Sequence, residues 1–242
     1  MSTDANAHAA WKRAAACAAV ELVTDGMIVG IGTGSTATCA IHALADRMRA
    51  GLRFLGIPSS DRSAALATSL GIPLTTFADH PRIDLTIDGN DEVERGTLNL
   101  IKGHGGALLR EKIVAVASRR LAIIVDGTKL VDRLGERSAL PVEVVAFGYE
   151  STRGRLETLG ATVDLRCSAD GKPFCTDSGN RILDCRFGPI ADPAMLEEEI
   201  GRIVGVVECG LFVGLADVVF VGDTAGVTRL ERSPRLLSGR QG

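Results

Sequence analysis

Apolar and polar positions follow two rhythms along this chain. In the first half, short apolar runs alternate with segments whose apolar residues recur every three to four positions. That pattern is expected of parallel strands joined by crossover helices. Residues 27–31 read as a buried strand, 32–35 as a loop, and 36–49 as a helix with Ala37, Ile41, Leu44, Ala45 and Met48 on one face. A second strand is predicted over 52–57 with its helix over 60–70, and a third strand over 84–87 opens into a turn at 88–91. A helix over 107–117 follows, its buried stripe marked by Leu108, Leu109, Ile113 and Val116, and then a strand over 121–125.

From Leu140 the order changes to strand 142–147, helix 150–159, strands 162–166 and 181–186, helix 192–203 and strand 206–212. This βαββαβ order is the ferredoxin-like split unit. Asp192 followed by Pro193 supplies an N-cap and a proline suited to the first helical position. The segment 168–180 carries Gly171, Pro173, Gly179 and Asn180 and reads as turn chemistry. Two strands, 218–221 and 227–230, are left over, and we expect them to return to the first sheet, which makes the second unit an insertion. The domain reading is therefore 1–136 with 208–242, and 137–207. The polar ends before Trp11 and beyond Arg229 are expected to fray.

Composition narrows the function classes. With 242 residues, 45% hydrophobic and 24% charged, the chain is long enough for one large domain or two modest ones. A net charge of −3 offers no basic stripe for a nucleic-acid backbone. No run of 18 apolar residues exists to span a bilayer, and the first ten residues lack a basic start and apolar core, so a cytoplasmic location is expected. The six cysteines show no C-x-x-C spacing, which argues against a zinc or thioredoxin-type site. They read as reduced thiols, with Cys39 and Cys209 as small core residues. Aromatic residues, at 4%, are too scarce to build stacking platforms.

Polar clusters fall where strands end, the place at which open parallel sheets bind ligands. The run GIGTGST, residues 30–36, combines glycines with Thr33, Ser35 and Thr36 at a helix start, a natural phosphate cradle. It lacks the P-loop lysine, and the second strand ends in Ile57, Pro58, Ser59 and Ser60 without the acidic residue of a dinucleotide site. The run DGNDEV, 88–93, reads as a solvated acidic turn or a magnesium site. In IKGHGGALLREKI, 101–113, Lys102 and a glycine-rich loop precede a helix carrying Glu111, whose bland reading is a solvated pair with Lys112. In VDGTKLVDRLG, 125–135, Lys129 is placed to neutralise a phosphate held by the first loop. Together these groups suggest chemistry on a phosphorylated sugar or polyol.

In order and spacing, GIGTGST, DGNDE, KGHGGALLREKI, DGTKLVDRLG, LPVEVV and GVVECGLF resemble the type A ribose-5-phosphate isomerase family, from about Trp11 to Leu230. The resemblance implies an α/β fold: a Rossmann-like, mainly parallel sheet domain with an inserted smaller ferredoxin-like α+β domain. It implies interconversion of D-ribose 5-phosphate and D-ribulose 5-phosphate through a cis-enediolate, in the non-oxidative pentose phosphate pathway. No metal or organic cofactor is implied, and the assembly would be a homodimer or dimer of dimers. Glu111 matches the general base, Lys102 the group that stabilises developing charge, and Asp88 and Asp91 the residues that handle hydroxyl protons and assist ring opening. Substrate contacts carry over to Thr33, Gly34, Ser35, Thr36, Gly89, Asn90, Gly103, His104, Gly105 and Lys129, alongside Asp88, Asp91 and Lys102.

The chain departs from the family pattern twice. Asn90 stands where the turn usually has alanine, and the usual KGGGAA is here KGHGGA, so His104 replaces a glycine and Gly106 an alanine. If that position needs a positive φ, His104 is strained; its side chain is expected to point away. Two other readings compete: a sugar-phosphate sensor like the effector domains of transcription regulators, and a CoA transferase or aminosugar-phosphate deaminase. Fewer than 30 residues precede the first strand, too few for a DNA-binding helix pair, and the transferase reading does not explain the run from DGNDE through KGHGGALLREKI.

Overall fold

The computed structural model describes residues 2–232. In chain order the elements are α1 (Ser2–Val20), β1 (Ile28–Ile31), α2 (Ser35–Arg49), β2 (Leu55–Pro58), α3 (Asp61–Ser69), β3 (Leu85–Gly89) and β4 (Glu92–Glu94). There follow β5 (Leu100–Ile101), α4 (Leu108–Val116), β6 (Leu121–Asp126), a 3-10 turn (Gly127–Lys129), β7 (Leu130–Val131), β8 (Leu140–Val144), α5 (Tyr149–Thr158) and β9 (Thr162–Leu165). The chain continues through β10 (Arg181–Arg186), α6 (Pro193–Gly201), β11 (Val206–Cys209), β12 (Leu211–Phe212), β13 (Val218–Asp223) and β14 (Gly226–Glu231).

The main sheet has the order β14-β13-β6-β3-β1-β2. All its neighbours are parallel except the β13–β14 hairpin. The last two strands therefore do rejoin the first sheet. Alternation along β6 and β13 supplies two cores: Ala122, Ile124, Val218 and Phe220 face α1 and α2, whereas Leu121, Ile123, Val125, Val219 and Val221 face the other side.

The N-terminal expectation is corrected. Residues before Trp11 lie in α1, whose Ala15, Ala16 and Ala19 are fully buried against the sheet. Alanine has the highest helix propensity and its small side chain allows close approach, but it writes only a weak amphipathic pattern. Of the C-terminal end, β14 continues past Arg229 to Glu231, and residues 233–242 lie outside the described part.

Strands β8, β9, β10 and β11 form an antiparallel sheet of order β11-β8-β10-β9 whose apolar face packs with Leu156, Leu196 and Ile200 of α5 and α6. Asp192 caps α6 by accepting from the N–H groups of Ala194 and Met195, as its sequence predicts. The predicted strand 206–212 is in fact two: β11 belongs to this sheet, and β12 belongs to a third sheet of order β12-β5-β4-β7. Its strands have two or three residues each, too short to write a period. That sheet carries the segment after the acidic turn up to Lys102, whose N–H donates to Gly210 O at 2.9 Å.

Candidate active site

In the main sheet β1 pairs with β2 on one side and β3 on the other, so the strand order reverses there, and the carboxyl ends of β1 and β3 open a crevice. Gly32 makes the crevice tight. A Cβ at that position would lie 2.1 Å from Asp88 Oδ1, and its absence lets Asp88 reach the Thr33 N–H at 2.9 Å. Asp88 Oδ1 also accepts from the Gly89 N–H at 2.7 Å.

Lys102 lies 2% exposed behind this wall, and its ammonium has three acceptors: Asp88 Oδ2 at 2.9 Å, Glu111 Oε1 at 3.2 Å, and the Gly89 carbonyl. Burial alone would push this ammonium down, but Asp88 and Glu111 hold it above its ordinary range. Burial also pushes the Glu111 carboxyl up, to about 8, against the pull of Lys102 and with help from Asp88 and Asp91. Glu111 Oε2 is buried and has no hydrogen-bond partner among the described residues. An unfilled buried acceptor is costly, and here it belongs to a residue bordering a cavity. For Asp88, burial raises the carboxyl above its usual range while Lys102 and the two N–H groups oppose it.

The buried stripe of α4 departs from the apolar reading. Glu111 and Lys112 face inward, whereas Ile113 and Val116 are 49% and 65% exposed. Lys112 is held by Glu197 at 2.8 Å and Glu208 at 2.7 Å, so it and Glu111 are not a solvated surface pair.

At the other end of the cavity α2 begins. Its N-cap, Gly34, has no side chain to accept from the first-turn N–H groups, which leaves the helix terminus suited to an anion. Ser35, Thr36, Lys12 and Lys129 border the same space. Lys12 Nζ lies 3.2 Å from Ser35 Oγ, and Lys129 has no hydrogen bond or ion pair among the described residues. Lys12 escaped sequence reasoning because it lies on α1, far in sequence from the glycine loop; only the docking of α1 beside α2 brings it here.

The structure gathers Thr33, Gly34, Ser35, Thr36, Gly89, Asn90, Asp91, Lys102, Gly103, Gly105, Glu111 and Lys129 around one cavity. Three residues need correction. The Thr33 hydroxyl is turned among Ser59, Ser60 and Ser63, at 2.8, 2.8 and 3.2 Å, so it is no free phosphate donor. Asp88 stands behind the wall, with both oxygens committed to the chain. The side chain of His104 points out of the cavity as expected, so its substrate contact does not hold: its Nε2 meets Ala139 O at 3.1 Å, and its N–H donates to Asp91 Oδ2 at 3.0 Å. Its backbone is unstrained, since Leu98 is the only described non-glycine residue with a positive φ. The gained Gly106 abuts the Phe174 ring, which a Cβ would meet at 2.4 Å.

Asn90 donates to the Glu92 carbonyl, and its Oδ1 is buried without a partner. The magnesium reading of the acidic turn does not suit the geometry. Asp88 binds Lys102, Asp91 takes the His104 N–H, and Glu92 accepts from the N–H groups of Gly135, Arg137 and Ser138, so the carboxylates diverge.

Comparison with known proteins adds an independent line. Residues 55–226 match the family model for ribose 5-phosphate isomerase A (phosphoriboisomerase A). The chain is 60% identical over 222 residues to ribose-5-phosphate isomerase A of Gloeobacter violaceus, covering 92% of this chain and 96% of that one. It is 56% identical to the protein of that name from Gluconobacter oxydans, covering 95% and 98%. Among solved structures it is similar to ribose 5-phosphate isomerase A from Methanocaldococcus jannaschii, with a TM-score of 0.89 and 41% identity over 92% of this chain and 99% of that one. A D-ribose-5-phosphate isomerase in complex with phospho-erythronic acid superposes with a TM-score of 0.90 and 37% identity, over 92% and 98%.

Proposed function

The chain belongs to the ribose 5-phosphate isomerase A family and interconverts D-ribose 5-phosphate and D-ribulose 5-phosphate, a step of the pentose phosphate pathway; from its geometry we propose that Glu111 is the general base. The observation that carries this assignment is a buried carboxyl, raised to about 8, bordering the cavity with one oxygen unpaired. A base with a pKa near the working pH combines adequate ionisation with a strong pull on a carbon-bound proton.

Glu111 takes the proton from C2 of the open-chain aldose, C1 and C2 become doubly bonded, and negative charge gathers on the oxygen of C1. A proton passes from the C2 hydroxyl to the C1 oxygen through Asp91, which borders the cavity. Glu111 then returns its proton to C1 as the C2 oxygen becomes the carbonyl. One carboxylate serves both carbons because they are neighbours in the planar enediolate. Lys102 supplies fixed positive charge beside Glu111, Asp88 holds Lys102, and the Gly105 N–H, which has no acceptor among the described residues, is the backbone donor to an enediolate oxygen. The phosphate lies at the start of α2, against Gly34, Ser35 and Thr36, between Lys12 and Lys129. The phospho-erythronic acid held by the similar structure, with a phosphate at one end and a carboxylate at the other, has the charges that suit these two ends.

To the same reading belong the division into 1–136 with 208–242 and 137–207, assembly as a homodimer or dimer of dimers, and a cytoplasmic location. Among the described residues no helix is long and apolar enough to cross a membrane. The test of function is turnover of ribose 5-phosphate by the purified protein in EDTA, followed by proton NMR in D₂O. Ribulose 5-phosphate carrying solvent deuterium is expected. No turnover despite sugar-phosphate binding would return the sensor reading.

A further inference from the structure

The small sheet reaches the cavity loop through Arg166, which follows β9. Its guanidinium is divided between two tasks. Nε donates to Asp184 Oδ2 at 2.9 Å and Nη2 to Asp184 Oδ1, a two-pronged pairing with a side chain of β10. Nη1 donates to the carbonyls of Gly103 at 2.8 Å and His104 at 3.2 Å. The guanidinium thus holds consecutive carbonyls of the loop on the side away from the cavity.

Peptide geometry turns this into a statement about the cavity side. A trans peptide is planar, and its N–H points opposite its C=O. With the Gly103 carbonyl turned to Arg166, the His104 N–H must point the other way, and there it donates to Asp91 Oδ2 at 3.0 Å. With the His104 carbonyl turned to Arg166, the Gly105 N–H must likewise point away from Arg166. Gly105 borders the cavity, and its N–H has no acceptor among the described residues. The Gly103 carbonyl also accepts the Gly106 N–H at 3.0 Å, so the first plane has a turn bond of its own beside the clamp, whereas among the described residues Arg166 is the one partner of the His104 carbonyl.

We propose that Arg166, held by Asp184, is a positioning residue for the isomerase reaction: it sets the His104–Gly105 peptide plane, and reinforces the plane before it, so that the Gly105 N–H meets the substrate oxygen that becomes negative while the His104 N–H holds Asp91. The proposal rests on the isomerase reading above. It needs an arginine, because only a planar fork bonds a carboxylate with two nitrogens and keeps a third for the carbonyls. Phe174, in the same hairpin between β9 and β10, rests on Gly106 and supports the far side of the loop.

The test compares wild type with Arg166→Lys, Arg166→Ala and Asp184→Asn in kcat, KM for ribose 5-phosphate, inhibition by phospho-erythronic acid, and Tm. Removal of an oxyanion donor costs about 10²–10³-fold in kcat, and a donor that is misaimed rather than lost is expected to cost at least about tenfold. Arg166→Lys keeps an ion pair with Asp184 and is the deciding variant should Arg166→Ala fail to fold. The expected result is a tenfold or larger fall in its kcat with KM within about twofold, and inhibition by the charged acid weakened by a factor similar to the loss in kcat/KM. Wild-type kcat in a folded Arg166→Lys protein, or a loss confined to KM, would overturn the proposal while leaving the isomerase reading intact. A wild type that does not turn over ribose 5-phosphate would instead overturn both.

Discussion

Lys102 and Lys129 border the same cavity in opposite surroundings. Lys102 is 2% exposed with its three protons committed to Asp88, Glu111 and the Gly89 carbonyl, whereas Lys129 is half-buried and has no partner among the described residues. The first end of the cavity is finished by the chain itself; its charges are fixed before any substrate arrives. The second is left open: a helix start with no side-chain cap, Lys129 without a partner among the described residues, and Lys12, held only loosely by Ser35 Oγ at 3.2 Å and Asp126 at 4.0 Å. A charge fixed in advance acts on the reacting atoms as charge moves, while an unpaired donor at the phosphate binds substrate and transition state alike. The difference should therefore divide kcat effects from KM effects.

The sharpest challenge to that division is Glu111→Gln, which keeps the shape and removes the base. Its kcat is expected to fall by about 10²–10⁴-fold with KM for ribose 5-phosphate little changed, as steady-state kinetics will read. Near-normal turnover would remove Glu111 from the chemistry.

Asp88→Asn comes next, since it takes one carboxylate from the buried ammonium of Lys102. Breaking a buried pair costs about 3–5 kcal/mol, so a marked fall in the urea midpoint is expected together with lower kcat. An unchanged midpoint would mean that Asp88 does not hold Lys102 as described.

At the open end, Lys129→Ala and Lys12→Ala are each expected to raise KM about tenfold, the cost of one charge-assisted hydrogen bond of about 1.5 kcal/mol, with a smaller effect on kcat. If kcat falls instead while KM holds, the contrast between the two ends fails.

The smallest effects concern pH. Glu111 must be ionised to accept the C2 proton, and its carboxyl is raised to about 8, so kcat/KM should decline as pH falls below about 8. The sign for stability is opposite. Between its ordinary value of 4.5 and about 8 the folded protein retains a proton that the unfolded chain has released, so stability contributed by Glu111 falls as pH rises through that window. Glu111→Gln should remove that decline, visible as a Tm gap between variant and wild type that widens from pH 5 to pH 8.

Helix α4 departs from its apolar stripe for a physical reason. Periodicity assumes that apolar residues face inward, yet α4 turns Glu111 and Lys112 to the interior and leaves Ile113 and Val116 to the outside. The violation is local to the cavity, where burial of charge is offset by Lys102 for Glu111 and by Glu197 and Glu208 for Lys112. Likewise α1 left a weak trace because alanine packs without writing a hydrophobic stripe. The strands β4, β5, β7 and β12 left none because two or three residues are shorter than any readable period.

By itself the sequence determined the alternation of strands and helices, the cap of α6, the βαββαβ order and the polar runs at strand ends, all of which are local chemistry. It also carried the family resemblance, since motif order and spacing survive without coordinates. Only the tertiary structure decided which oxygens and protons remain uncommitted. It turned the Thr33 hydroxyl toward the serines and spent Asp88 on Lys102. It set His104 outside the cavity, brought Lys12 in from α1, and laid Arg166 against the carbonyls of the loop. These pairings join residues up to tens of positions apart, and each is settled by competition among acceptors that meet only once the sheets have packed.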